Sequence, residues 1–158
     1  MAADQETMLQ ILNAVPQQHP FRFIDEILEL DENHIVGAYR FHEDEFFYKG
    51  HFPGLPITPG VILIETMAQT GVVAFGLYLL MSQNKVPLED AKKLMTLFTL
   101  AEAVEFLGMV KPGERVIVEG EKVYFRMGSL KVHVSMEREN GEPVCAGVLS
   151  GRGVPSQG

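Results

Sequence analysis

The chain has 158 residues, 46% of them hydrophobic and 22% charged, with a mean hydropathy of +0.07, which describes one packed domain with short tails at most and excludes a disordered chain. A domain of this size buries about two thirds of its unfolded surface and needs neither disulfides nor a structural metal, in keeping with a single cysteine, Cys145. Thirteen Lys and Arg against twenty-one Asp and Glu leave a net charge of −8, which opposes binding to nucleic acid or anionic lipid.

The first residues, Met1-Ala-Ala-Asp-Gln-Glu6, carry neither the basic nor the apolar region of a secretory signal, so a cytoplasmic location is expected. Met8, Leu9, Ile11, Leu12 and Val15 recur at helical spacing before Pro16 and predict a short amphipathic helix. Two extended runs follow, Phe21 to Leu30 and His34 to Phe41, joined by Asp31-Glu32-Asn33 as a hairpin turn. Gly50 to Gly60 is dense in glycine and proline and reads as a rigid loop.

Val61 to Met81 is apolar and nearly long enough to span a bilayer. Glu65, Thr66, Gln69 and Thr70 lie in its first half and no basic cluster flanks it, so it reads instead as a central helix starting at Pro59-Gly60 and wrapped by other elements. Strand patterns occupy the rest: Leu94 to Leu100, Val104 to Val110, Arg115 to Met127, Leu130 to Glu139 joined at Gly128-Ser129, and Pro143 to Ser150 after an Asn140-Gly141 turn. This order predicts an α+β chain, an antiparallel sheet around one helix, in a single domain over residues 1–152 with a loose tail over 153–158.

Metal chemistry finds no support. His19, His34, His42, His51 and His133 lack ligand spacing, and HExxH, paired CxxC, phosphate-loop, GxSxG and dinucleotide motifs are absent, so neither metal nor cofactor is expected. His51 on the rigid loop and Glu65 on the helix remain. An imidazole exchanges a proton near neutral pH, and a carboxyl buried in apolar surroundings keeps its proton and acts as an acid. Gly60 stands at the helix N-terminus, where unpaired N–H groups favour a developing negative charge. From spacing alone each has an ordinary alternative: His51 a hydrogen-bonded loop residue, Glu65 a buried group satisfied by a neighbour, Gly60 a helix start.

The segments Gly50-His-Phe-Pro-Gly54, Pro56-Ile-Thr-Pro-Gly-Val61 and Glu65-Thr-Met-Ala-Gln69 resemble the 3-hydroxyacyl-acyl-carrier-protein dehydratases. Pro16-Gln-Gln-His-Pro-Phe21, Lys111-Pro-Gly-Glu114 and Arg126-Met-Gly-Ser-Leu-Lys131 extend the resemblance over Val15 to Ser150. It implies a hot-dog fold, His51 and Glu65 as catalytic pair, and Gly60 with Val61 as oxyanion donors. It also implies Gln69 as support for the acid, and an acyl-carrier-protein-bound substrate reacting at the interface of a homodimer or a trimer of dimers. Phe52 and Ile57 are expected beside an acyl tunnel. Where the family carries a basic run, this chain has Glu105-Phe-Leu-Gly-Met109, so carrier docking falls to Lys49, Arg126 and Lys131. A hot-dog thioesterase and a non-catalytic acyl-binding module are the rival readings.

Overall fold

A computed structural model of the protein describes residues 2–155. Helix α1 spans Gln5–Ala14 and starts earlier than its apolar spacing suggests, because the Asp4 carboxylate accepts from the Thr7 N–H at 2.8 Å and caps the first turn. Its other end is closed by Arg22, whose guanidinium donates to the carbonyls of Leu12, Val15 and Gln17.

Strands β1 (Glu26–Leu30) and β2 (His34–Arg40) form the expected hairpin, its turn held by Asp31 Oδ1 accepting from the Asn33 and His34 N–H groups. The residues from Phe21 to Asp25, expected to extend β1, are not strand. Their backbone is engaged elsewhere: Phe23 N–H donates to Gln69 Oε1 and Phe21 C=O accepts from Gln69 Nε2.

The central helix runs over Gly60–Ser82, and its middle, Gln69–Ala74, widens into a π-helical turn. By length and composition it could cross a membrane, but it is largely buried within the fold. The sheet takes the order β1-β2-β4-β5-β6-β3, all neighbours antiparallel, with β3 (Leu94–Phe106), β4 (Arg115–Arg126), β5 (Ser129–Arg138) and β6 (Pro143–Pro155).

Three expectations change here. The runs Leu94 to Leu100 and Val104 to Phe106 are one strand rather than two, because β3 keeps its pairing to β6 through register shifts at Phe98/Leu100 and Glu102/Glu105, with Ala103 at φ 52°; Leu107 to Val110, expected to continue the second run, are not strand. The β4–β5 turn lies at Met127-Gly128, both at positive φ, one residue before the predicted junction. The expected tail is shorter, since Gly153, Val154 and Pro155 pair with Thr96, Met95 and Leu94; residues 156–158 lie outside the described part.

Helix and sheet meet at unusually short range. Cβ atoms built on Gly37 and Gly71 would lie 2.8 Å from Thr70 Oγ1 and 2.6 Å from Val134 Cγ1, so glycine is what lets the helix lie this close. Gly37→Ala is therefore expected to cost about 1–3 kcal/mol by overpacking against buried Thr70. Denaturant unfolding checks it, and an unchanged midpoint would contradict the packing described.

Candidate active site

The loop carrying His51 is closed at both ends. Buried Tyr48 and Thr58 join through their hydroxyls at 2.6 Å, and Thr58 N–H donates to the Val110 carbonyl. Upstream, the Glu45 carboxylate accepts from Tyr39 Oη at 2.5 Å and from the His42 N–H, fixing the 3₁₀ turn Phe46–Tyr48. Phe47 packs edge-on against Phe23 and Phe41, which anchors that turn in the core.

Within this frame His51 Nδ1 lies 2.7 Å from the Ile57 carbonyl oxygen. A carbonyl only accepts, so Nδ1 carries the hydrogen and Nε2 is left with its lone pair. Neighbouring Phe52 sits at φ 60°, the left-handed region that a bulky side chain seldom adopts, and its ring lies 4.3 Å from the imidazole centroid. Phe52 and Ile57, expected beside an acyl tunnel, thus flank the histidine.

Glu65 lies half-buried in the second turn of the central helix. Burial pushes its carboxyl above the ordinary carboxylate value, and the Gln69 amide, donating to Glu65 Oε2 at 2.9 Å, opposes that shift. Gln69 itself is fully buried and makes two further hydrogen bonds, to Phe23 N at 2.6 Å and Phe21 O at 2.9 Å. A cavity of about 60 Å³ opens beside Glu65, lined also by Gln17, Ala68, Val72, Val73, Thr96 and Phe98. Gln17 and Ala68 lie in the motifs quoted from the sequence, whereas the other lining residues carry none; Val72 and Val73 read only as part of an apolar helix, and Thr96 and Phe98 as ordinary strand residues.

The helix begins at Gly60 with Pro59 before it and no side-chain cap. Pro59 C=O accepts from Ile62 and Leu63, while the N–H groups of Gly60 and Val61, ahead of the helical ladder, have no intrahelical acceptor. Phe106 lies over this end: a Cβ on Gly60 would stand 3.0 Å from its ring. Glu65 and Gln69 are thus brought together, and Gly60 and Val61 sit one turn earlier on the same helix. No hydrogen bond or ion pair joins His51 to Glu65 within the protomer among the described residues. No group of metal-ligating side chains occurs among the described residues either.

An antiparallel sheet curled around one buried helix, with an imidazole loop ahead of that helix and a carboxyl on it, defines the class. The FabA-like domain family matches residues 15–140, and the chain belongs to it. Curated relatives narrow this. The chain is 38% identical over 129 residues to the 3-hydroxyacyl-[acyl-carrier-protein] dehydratase FabZ of Acetivibrio thermocellus, covering 81% of this chain and 82% of that protein. It is 33% identical over 141 residues to the FabZ of Caldicellulosiruptor bescii, covering 89% and 93%. It is a member of the FabZ-like dehydratase family. Solved structures share the hot-dog fold at low identity: the dehydratase heterocomplex ApeI:P from Xenorhabdus doucetiae has a TM-score of 0.72 at 14% identity, over 91% of this chain and 90% of that one. A mutant thioesterase from Pseudomonas aeruginosa has a TM-score of 0.64 at 12% identity, over 94% of each chain.

Replacing Gln69 tests the geometry of the acid. Gln69→Leu leaves the buried Phe23 N–H without its acceptor, an expected loss of about 1–3 kcal/mol. It also removes the donor that lowers the Glu65 pKa, so the carboxyl should titrate at higher pH in the variant when followed by carbon NMR. An unchanged or lower midpoint would contradict the hydrogen bond.

Proposed function

We propose that this protein removes water from 3-hydroxyacyl thioesters carried by acyl carrier protein, giving the trans-2-enoyl thioester of fatty-acid or related lipid synthesis, with His51 as base and Glu65 as acid. The observation that carries the assignment of roles is the fixed His51 tautomer: with Nδ1–H on the Ile57 carbonyl, Nε2 is the atom free to take a proton. It takes the proton from the carbon between the thioester carbonyl and the hydroxyl-bearing carbon. Charge developing on the carbonyl oxygen is held by the Gly60 and Val61 N–H groups at the helix N-terminus. As the carbon–oxygen bond breaks, protonated Glu65 gives its proton to the leaving hydroxyl, which departs as water. Proton transfer from His51 back to the Glu65 carboxylate through solvent restores the starting state. No cofactor enters this sequence.

The base and the acid come from different protomers. Supporting that arrangement, β3 is an edge strand of 13 residues with Met95, Leu97, Phe98 and Phe106 all at least 44% exposed, the kind of long apolar edge that natural proteins cover. Pairing two copies along β3 gives a homodimer, alone or repeated in a trimer of dimers, and covers that edge. Docking of the acidic carrier rests on Lys49, Arg126 and Lys131. Arg126 stacks over Tyr124 at 4.2 Å and Lys131 reaches Glu102 at 3.4 Å, so both are already oriented. A cytoplasmic protein fits this role.

His51→Ala and Glu65→Gln are each expected to lower kcat/KM about 10²- to 10⁴-fold, read as absorbance of the conjugated enoyl thioester from a 3-hydroxyacyl carrier substrate. Release of free thiol instead would identify a thioesterase, and binding without turnover a non-catalytic acyl-binding module. Because burial raises the Glu65 pKa and the reaction needs its protonated form, activity should persist above the ordinary carboxylate range and fall as pH rises through the folded-state value. The same sign governs stability: the carboxyl's contribution is present below its unfolded pKa and lost as pH rises through the folded one. Glu65→Gln should therefore unfold with a shallower alkaline loss, measured by thermal melts across pH.

A further inference from the structure

The cavity of about 60 Å³ beside Glu65 is apolar on most sides, where Ala68, Val72, Val73 and Phe98 line it. Its polar lining is Glu65, Gln17 and Thr96. Gln17 Oε1 is buried and accepts no hydrogen bond among the described residues. Burying an acceptor without a donor costs free energy, so an atom placed this way calls for a partner.

The residue itself is firmly placed. The Gln17 carbonyl accepts from the Arg22 guanidinium at 3.1 Å, and the same guanidinium holds the carbonyls of Leu12 and Val15. Further along, the Phe21 carbonyl accepts from Gln69, the amide that also donates to Glu65 Oε2. Arg22 and Gln69 thus tie the segment carrying Gln17 to the helix carrying the acid. The terminal torsion of a glutamine is broad, so its amide oxygen turns toward a donor in the cavity without strain.

A group that fits between an acid and an acceptor must accept from the one and donate to the other. A hydroxyl does both, whereas a carbonyl only accepts and a methylene does neither. We propose that Gln17 binds the substrate's 3-hydroxyl, its Oε1 accepting the hydroxyl hydrogen while the hydroxyl oxygen faces the Glu65 acid, and that it thereby selects 3-hydroxyacyl over saturated acyl thioesters. With its hydrogen on Gln17, the hydroxyl turns a lone pair to the proton of Glu65. As the carbon–oxygen bond breaks, its electron pair leaves with the oxygen, which takes that proton. The resulting water keeps one hydrogen on Gln17 and turns the other to the Glu65 carboxylate. A water needs about 10–15 Å³, so the cavity admits the hydroxyl and the water it becomes. A saturated chain instead leaves both polar groups facing methylenes. This role rests on the reading of Glu65 as the catalytic acid.

The test compares binding of butyryl and 3-hydroxybutyryl thioesters of acyl carrier protein, by calorimetry, to the full protein carrying His51→Ala so that turnover is slow. Gln17→Met keeps the length of the side chain and removes the acceptor. Added to that protein, it should lower the preference for the hydroxylated ligand about tenfold, the effect of one buried hydrogen bond, without weakening butyryl binding. With His51 present, it should lower kcat/KM for 3-hydroxybutyryl carrier thioester about tenfold. Because Oε1 accepts from nothing in the fold, the thermal midpoint of Gln17→Met should hold or rise; a fall would mark a structural acceptor and contradict the proposal. Gln17→Glu is the second variant. It keeps an acceptor and sets another carboxyl on the cavity of Glu65, so the pH at which dehydration falls should move upward. A ligand preference unchanged in folded Gln17→Met, or a pH limit unmoved in Gln17→Glu, overturns the role of Gln17 and leaves the dehydratase reading standing. No dehydration of any substrate by wild type overturns that reading and the role of Gln17 with it.

Discussion

The buried amide of Gln69 is the interaction on which the site depends. One side chain accepts from Phe23 N–H, donates to Phe21 C=O and donates to the Glu65 carboxyl. It thereby ties the segment leading into the sheet to the central helix, and it sets the orientation of the acid in the same act. Burying an amide without partners is costly, so the three bonds are mutually dependent: the backbone segment fixes the glutamine, and the glutamine fixes Glu65. The carboxyl is left with one donor against the desolvation, and the balance holds its pKa above the ordinary carboxylate value.

Close packing does the rest of the positioning. Gly37 and Gly71 let the helix lie directly on the sheet, and the π-helical turn at Gln69–Ala74 places the glutamine beside the valines that line the cavity. At the helix start, Gly60 admits the Phe106 ring while its own N–H stays out of the helical ladder. The histidine loop is held by a separate set of contacts, Tyr48 to Thr58 and Glu45 to Tyr39 and His42, none of which involves Glu65. The proposed base and acid are therefore held by different hydrogen bonds, and the two sets meet at Phe23, which packs on Phe47 and donates its N–H to Gln69.

Much of this was legible in the sequence. The apolar run with Glu65 and Gln69 inside it marked the central helix, and the Gly-His-Phe-Pro-Gly loop marked the histidine. The strand runs along the chain followed from periodicity and turn residues, but their order in the sheet, which sets β3 at the edge beside β6, did not. What could not be read was set by partners distant along the chain. Phe21 to Asp25 has strand-like composition, yet a glutamine 46 residues beyond Phe23 claims its backbone. The break expected between Leu100 and Val104 is a bulge, because β6 keeps β3 in one ladder across Ala103. The Tyr48–Thr58 bond likewise joins two residues of unremarkable type across the loop.

A site shared between protomers has a direct test. His51→Ala and Glu65→Gln homodimers, each inactive, are mixed under conditions that exchange subunits, and dehydration is assayed. If His51 of one chain works with Glu65 of the other, each mixed dimer contains one intact site, and a random mixture regains about a quarter of wild-type activity. If base and acid act within one chain, every site in the mixed dimer carries one defect. Activity would then stay at the level of the separate variants, contradicting the account.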